Sequence, residues 1–224
     1  MPETYKGDVL QRIAGVGLIV GAILTVVFNI LAPRADDPTN SAQAMAALAK
    51  NPGLAKLAFL GLAVGIWSLV IGFADIYRSM PTGAASVWAR LGFYGVLVSA
   101  GLFTTTFALQ IGATFAAEKG AAGVAIGEPI VFAARSLFAL TITAWWLALA
   151  FVGLGMALST VYPKWAGWAL LILGAVTVIV SGIPSVFSTP TRSQDLVFAA
   201  LALLSSLWTL VIGLWITRRE MKAM

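Results

Sequence analysis

The sequence contains no cysteine and no histidine. The missing cysteine excludes disulfides and thiolate nucleophiles, and the missing histidine excludes imidazole metal ligands and histidine acid–base catalysis. A haem ligated by histidine or cysteine is excluded for the same reason. We therefore expect no cofactor, no haem or transition-metal site and no metal-binding residue, although a bound lipid remains compatible with this composition.

Charge is scarce as well. Charged residues make up 10% of the chain, whereas soluble domains carry about 25%. Apolar residues make up 60%, and the mean hydropathy is +0.94. The 14 basic and 9 acidic residues give a net charge of +5, and the basic residues are scattered along the chain rather than gathered in a patch. Membrane lipids are therefore the expected surroundings, and nucleic acid is not an expected partner.

Long apolar runs take up most of the sequence, and about 20 apolar residues suffice for one helical crossing of a bilayer. Six such runs predict an all-α integral membrane protein: a six-transmembrane-helix bundle that forms a single membrane domain over residues 1–224. The predicted helices cover approximately residues 13–31, 54–76, 87–117, 130–160, 165–183 and 196–217. A short surface helix is predicted over Ser41 to Lys50, and the glycine-rich segment from Glu118 to Pro129 is predicted to be a loop.

Six crossings place both termini on the same side of the membrane. Eight basic residues fall on that side, and six fall on the other. The first set is Lys6, Arg12, Arg78, Arg90, Lys164, Arg218, Arg219 and Lys222; the second is Arg34, Lys50, Lys56, Lys119, Arg135 and Arg192. Since cytoplasmic loops carry the excess of Lys and Arg, this count favours cytoplasmic termini.

Two helix starts carry a resemblance to a known group of proteins. The first helix opens with Arg12-Ile13-Ala14-Gly15, and the fifth opens with Tyr162-Pro163-Lys164-Trp165-Ala166-Gly167-Trp168-Ala169. The chain resembles bacterial multi-pass membrane proteins that are grouped as a domain of unknown function. This resemblance implies a protein of the bacterial cytoplasmic (inner) membrane. It implies no catalytic or ligand-binding residue.

A line of polar residues runs along the third predicted helix. Thr106, Gln110, Thr114 and Glu118 recur every four residues and therefore share a broad face. This line could border a polar cavity that binds a ligand, with Arg135 and Asn29 approaching from the ends of neighbouring helices. Alternatively, its side chains could form hydrogen bonds between helices, as Thr and Gln often do in membranes.

Arg135 lies five residues inside the fourth predicted helix, where an unpaired guanidinium is costly. Glu118 and Glu128 lie on the same side of the membrane and are its expected partners. The pair would serve as an anchor at the membrane surface or, in the functional alternative, would attract an anionic substrate.

Glycines at small-xxx-small spacing occur on the first two predicted membrane helices, at Gly17 and Gly21 and at Gly61 and Gly65. This spacing allows two helix backbones to approach closely. The pattern serves contacts within one chain and contacts between protomers equally well, so self-association stays open at this point.

The sequence shows no catalytic residue, because it lacks a histidine, a cysteine and a nucleophile motif. The leading hypothesis is a non-catalytic accessory or scaffold bundle that associates with lipid or with other membrane subunits. The first alternative is a small-molecule transporter or permease that uses the polar line on the third helix. The second is a lipid-modifying intramembrane enzyme, which would require Glu118 and Glu128 to face one cavity.

Overall fold

The fold was analysed in a computed structural model, which describes residues 9–37, 40–188 and 191–221. Eight α-helices make up this part of the chain. They are α1 Val9–Leu31, α2 Ser41–Lys50, α3 Pro52–Arg78, α4 Ala84–Ala117, α5 Ala121–Leu158, α6 Lys164–Thr177, α7 Ile183–Phe187 and α8 Arg192–Met221. A π-helical turn, Val178–Gly182, joins α6 to α7.

Six helices in this structure are long and apolar enough to cross a membrane. They cover Gln11–Leu31, Pro52–Arg78, Ala84–Ala117, Ala121–Leu158, Lys164–Phe187 and Ser193–Arg218. The prediction of a six-helix membrane bundle is therefore confirmed. The short helix α2 has the predicted bounds, and the Asn40 side chain caps it by accepting a hydrogen bond from the backbone N–H of Gln43.

The six membrane helices form a closed ring. Around the ring, α1 packs on α3, α3 on α4, α4 on α5, α5 on α6, α6 on α8, and α8 returns to α1. The start of α1 lies against the end of α8, because a Cβ added to Gly15 would lie 3.0 Å from the carbonyl oxygen of Gly213. We call this end of the bundle the terminal end and the opposite end, where α2 lies, the loop end.

Glycine contacts divide the ring into two groups of three helices. In the first group, a Cβ on Gly21 would lie 2.8 Å from the carbonyl oxygen of Gly65, which brings α1 and α3 together; Gly15 and Gly213 join α1 to α8. In the second, a Cβ on Gly153 would lie 2.8 Å from the carbonyl oxygen of Gly167, which joins α5 to α6, and a Cβ on Gly155 would lie 2.9 Å from the carbonyl oxygen of Ala85, which joins α5 to α4. The two small-xxx-small patterns of the sequence thus pack against each other within one chain.

Aromatic side chains join these two groups. Phe73 of α3 meets Trp145 of α5 edge to face, with ring centroids 6.3 Å apart. Trp146 of α5 meets Phe198 of α8 in the same way, at 6.4 Å. Trp208 of α8 donates a buried hydrogen bond of 2.9 Å from its indole nitrogen to the carbonyl oxygen of Ala166 on α6. The interior of the ring is therefore filled by large rings rather than by close backbone contacts.

The largest difference from the sequence analysis is the start of the fourth membrane helix. We predicted this start at residue 130, but α5 begins at Ala121, and the predicted loop shrinks to a turn from Glu118 to Gly120. Gly120 makes the turn with a positive φ of 63°. Gly127 lies inside the helix and contacts α2. A side chain at this position would collide with the Met45 side chain of α2. The other predicted membrane-helix limits lie within four residues of the observed ones when α6, the π-helical turn and α7 are taken as one helix.

The π-helical turn has a local cause. Pro184 has no N–H to donate to the residue four positions earlier, so the regular α-helical pattern cannot pass through it. Ile183 instead donates its N–H to the carbonyl oxygen of Val178, five residues back. One extra residue is accommodated in this turn, and α7 then continues the same apolar rod.

Replacing Gly21 by Val should separate α1 from α3, because the new side chain would enter space held by Leu69 and the Gly65 backbone. We expect a loss of about 1–3 kcal/mol in the free energy of unfolding, as for overpacked cores. The measurement is unfolding in bicelles followed by far-UV circular dichroism. Gly101→Val is the matched control, since nothing lies within 4 Å of a Cβ there. Equal losses in the two variants would contradict the glycine contact.

Candidate functional site

The polar line of α4 lies partly inside the bundle. Thr106 is 2% exposed and Thr114 is fully buried. The Thr106 hydroxyl donates to the carbonyl oxygen of Leu102 at 2.9 Å, and that of Thr114 donates to Gln110 at 2.8 Å. Both donors are therefore satisfied within α4 itself. These two hydroxyls do not donate the expected hydrogen bonds between helices. The Gln110 side chain, which lies between them along α4, is half-buried.

Glu118 lies at the end of α4 and forms an ion pair with α3. Its carboxylate accepts a hydrogen bond from the Lys56 ammonium at 2.6 Å, and the same ammonium lies 3.8 Å from the centroid of the Phe115 ring. The side chains of Lys56 and Glu118 are 27% and 37% exposed. An ion pair this open to solvent contributes about 0–1 kcal/mol, so it is a weak link between α3 and α4.

The length of α5 allows Arg135 to lie near the membrane surface rather than deep in the bilayer. It stands 23 residues before Leu158, the last residue of α5. At a rise of about 1.5 Å per residue this is about 35 Å, more than the roughly 30 Å of hydrocarbon. The first turns of α5 therefore extend past the membrane core at the loop end, where α2 packs on them.

Asp37 and Asp195 lie near enough to Arg135 to attract its guanidinium electrostatically. Asp195 lies in the first turn of α8 and also interacts with Arg34. Arg34 in turn donates to the backbone and side-chain oxygens of Asn29, at the end of α1. We call Asn29, Arg34, Asp37, Arg135 and Asp195 the loop-end charge cluster. It brings together α1, the α1–α2 connection, α5 and α8.

Arg135 thus has charged neighbours other than the expected Glu118 and Glu128. Glu118 is bound to Lys56, and Glu128 lies within α5 itself, seven residues before Arg135. The partners come from distant parts of the chain, because the α1–α2 connection and the start of α8 meet over this part of α5. One signal for them is present in the sequence, since Asp37 and Asp195 lie at predicted helix ends on the same side of the membrane as Arg34 and Arg135.

The six residues singled out in the sequence thus fall into three places. Thr106, Gln110 and Thr114 lie along α4, Glu118 pairs with Lys56, and Asn29 and Arg135 belong to the loop-end charge cluster. Reasoning from sequence missed Lys56, Arg34, Asp37 and Asp195 as members of these groups. The acidic first turn of α8 was a readable signal, since a carboxylate there complements the helix dipole.

Two buried hydroxyls in the described part of the chain have no hydrogen-bond partner. They belong to Ser99 of α4, which is fully buried, and Ser181 of the π-helical turn, which is 3% exposed. Burying a hydroxyl without a partner costs about 1–3 kcal/mol. These two side chains therefore weaken the bundle core rather than stabilise it.

Ser99→Ala should leave stability unchanged or raise it by up to about 1 kcal/mol, because it removes a buried donor without a partner. Ser159→Ala is the matched comparison. The Ser159 hydroxyl is also buried, but it donates to Met156 and accepts a bond from the backbone N–H of Tyr162, so we expect a loss of about 1–2 kcal/mol. Thermal unfolding in detergent measures both. A larger loss for Ser99→Ala than for Ser159→Ala would show that the Ser99 hydroxyl has a stabilising role.

No family model, no curated protein and no solved structure matches this chain. The resemblance carried by the helix starts therefore assigns no role to any residue. The function has to be argued from the geometry of the chain itself.

Proposed function

We propose that this chain is a non-catalytic scaffold of the bacterial cytoplasmic membrane, which acts by binding lipid and neighbouring membrane proteins on its outer surface. One observation carries the proposal: the interior of the ring is filled by aromatic rings and glycine contacts, and the buried threonines of the polar line bond to their own helix. In a bundle filled in this way, the groups that can bind a partner lie on the outer surface and at the ends of the helices.

The connections support the same proposal. Turns of three to five residues join α3 to α4, α4 to α5, α5 to α6, and α7 to α8. Such short turns give the membrane helices little extramembrane surface on which to build a reaction site. The contacts available to a partner are therefore mainly those offered by the sides of the helices.

The outer surface of α6, the π-helical turn and α7 exposes large apolar side chains. Ile172 is 58% exposed, Ile179 is 65% exposed and Phe187 is 85% exposed. Trp165 and Trp168, also exposed, lie at the start of α6, at the level where tryptophan meets headgroups. This surface suits lipid chains or an apolar helix of another membrane subunit. After extraction in a mild detergent, we expect the chain to migrate with lipid and with such subunits rather than as a bare monomer.

Reconstituted vesicles test the scaffold against the permease alternative. Vesicles that contain the chain should pass small neutral, cationic and anionic solutes no faster than protein-free vesicles. Glu118→Gln and Arg135→Gln, singly and together, should leave solute passage unchanged, because the proposal gives neither residue a part in transport. Saturable solute flux that is lost in Thr114→Val while the fold is retained would replace the scaffold with a permease.

Cytoplasmic termini are part of the proposal and rest on the excess of basic residues at the terminal end. Because the chain has no cysteine, single cysteines can report the orientation. Thr82→Cys lies in the exposed α3–α4 turn at the terminal end, and Ala121→Cys lies at the exposed start of α5 at the loop end. A membrane-impermeant maleimide should label residue 121 in intact cells and residue 82 only after lysis. The reverse pattern would invert the orientation.

A further inference from the structure

The helices α1 and α8 touch closely at the terminal end and separate toward the loop end. At the terminal end, a Cβ on Gly213 would lie 2.9 Å from the carbonyl oxygen of Gly15, and both glycines are buried. Asp195 lies 18 residues before Gly213, which is five turns of about 3.6 residues, so the two share one face of α8. Asp195 is nevertheless exposed.

Burial falls off gradually along this face of α8. Gly213 is buried, Ser206 is half-buried, and Ala199 is exposed. The successive positions are seven residues apart, about two turns, and therefore share one side of the helix. A face that is covered at one end and open at the other indicates a neighbour that diverges from it.

The facing side of α1 shows the same gradient. Gly15 and Ala22 are buried, Val26 is half-buried, and Asn29 is exposed. Two helices whose facing sides both become exposed enclose a wedge-shaped crevice that is open to the lipid. The residues along it are apolar: Val26 and Ala199 belong to the two facing sides, and Ile30 and Leu203, one turn further along their helices, are 74% and 51% exposed.

The loop-end charge cluster stands at the wide end of this crevice. Arg34 follows the end of α1, Asp195 lies in the first turn of α8, and each interacts electrostatically with the other. Arg135 reaches the same place from α5 and interacts with Asp195. Two guanidinium groups thus lie beside the exposed Asp195 carboxylate, and Asp37 also attracts Arg135, at the end of the bundle where phospholipid headgroups are expected.

We propose that this crevice binds a phospholipid with an ethanolamine headgroup. Arg34 and Arg135 hold the phosphate through charge-assisted hydrogen bonds. Asp195 accepts a hydrogen bond from the ammonium, and one acyl chain lies along Val26 and Ala199. The carboxylate beside the arginines disfavours an anionic headgroup, and choline has no N–H to donate to it. This site gives the lipid-binding part of the proposed function a place and a ligand class, and it rests on that function.

The test compares three lipids with identical acyl chains, whose headgroups are ethanolamine, choline and glycerol. The purified full chain is titrated with each in detergent, and bound lipid is counted by native mass spectrometry. We expect the ethanolamine lipid to bind most tightly. Arg34→Gln together with Arg135→Gln should weaken its binding roughly tenfold. Asp195→Asn should abolish the preference for ethanolamine over choline while lipid still binds.

Two controls separate the site from general effects. Lys56→Gln together with Glu118→Gln removes an exposed ion pair at the same end of the bundle and should leave lipid binding unchanged. Ala199→Phe fills the crevice without changing its charge and should block binding, whereas Leu207→Phe places the same aromatic side chain at an exposed position of α8 outside the crevice and should not. The Ala199 variant keeps the test decisive even where the charge variants fold poorly.

Equal binding of the three lipids, or a preference for the glycerol headgroup that Asp195→Asn leaves unchanged, would overturn this site. Tight lipid binding that survives both the arginine changes and Ala199→Phe would also overturn it, while leaving the scaffold function in place. A wild-type chain that retains no lipid and passes solute would contradict the proposed function itself.

Discussion

The close approach of helix backbones at glycine is the contact on which the rest of this bundle depends. Within lipid, helices gain little from burying apolar side chains, so van der Waals contact between backbones has to supply the association. Gly21 against Gly65 and Gly153 against Gly167 provide that contact inside the two groups of helices. Between the groups the spacing is wider, and aromatic rings fill it. The division into two groups therefore follows from where the glycines lie.

The unequal lengths of the helices place the charges. The 38 residues of α5 span about 57 Å, nearly twice the hydrocarbon thickness, so one end of this helix has to leave the membrane core. At the loop end α2 covers it, with Met45 against Gly127. Arg135 then meets Asp37 and Asp195 at the surface, where water can solvate what the carboxylates do not. A guanidinium would be costly to bury at mid-membrane. The length of α5 lowers this cost because it allows Arg135 to reach the surface.

The sequence predicted the helix count, the bounds of α2 and the helical class, because these follow from apolar run length and capping residues. It placed the start of α5 nine residues too late, since Gly123 and Gly127 read as a loop when they are in fact contact points for Ala116 and Met45. The charged neighbours of Arg135 could not be predicted from the sequence for a different reason. Asp37 and Asp195 are separated from it by 98 and 60 residues, and only the closing of the ring brings them together.

The same ring closure decides where a ligand could bind. Glycine contacts hold α1 and α8 together at the terminal end alone, because α8 carries Gly213 there and larger or exposed residues toward Asp195. Elsewhere a bundle of this kind covers its polar groups with backbone or rings. At the loop end the divergence leaves apolar walls beneath opposed charges, which matches the order of tail and headgroup in a phospholipid. A phospholipid would contact both the apolar walls and the charges, whereas a water-soluble solute would contact the charges alone, and this difference supports the proposed lipid over a transported solute.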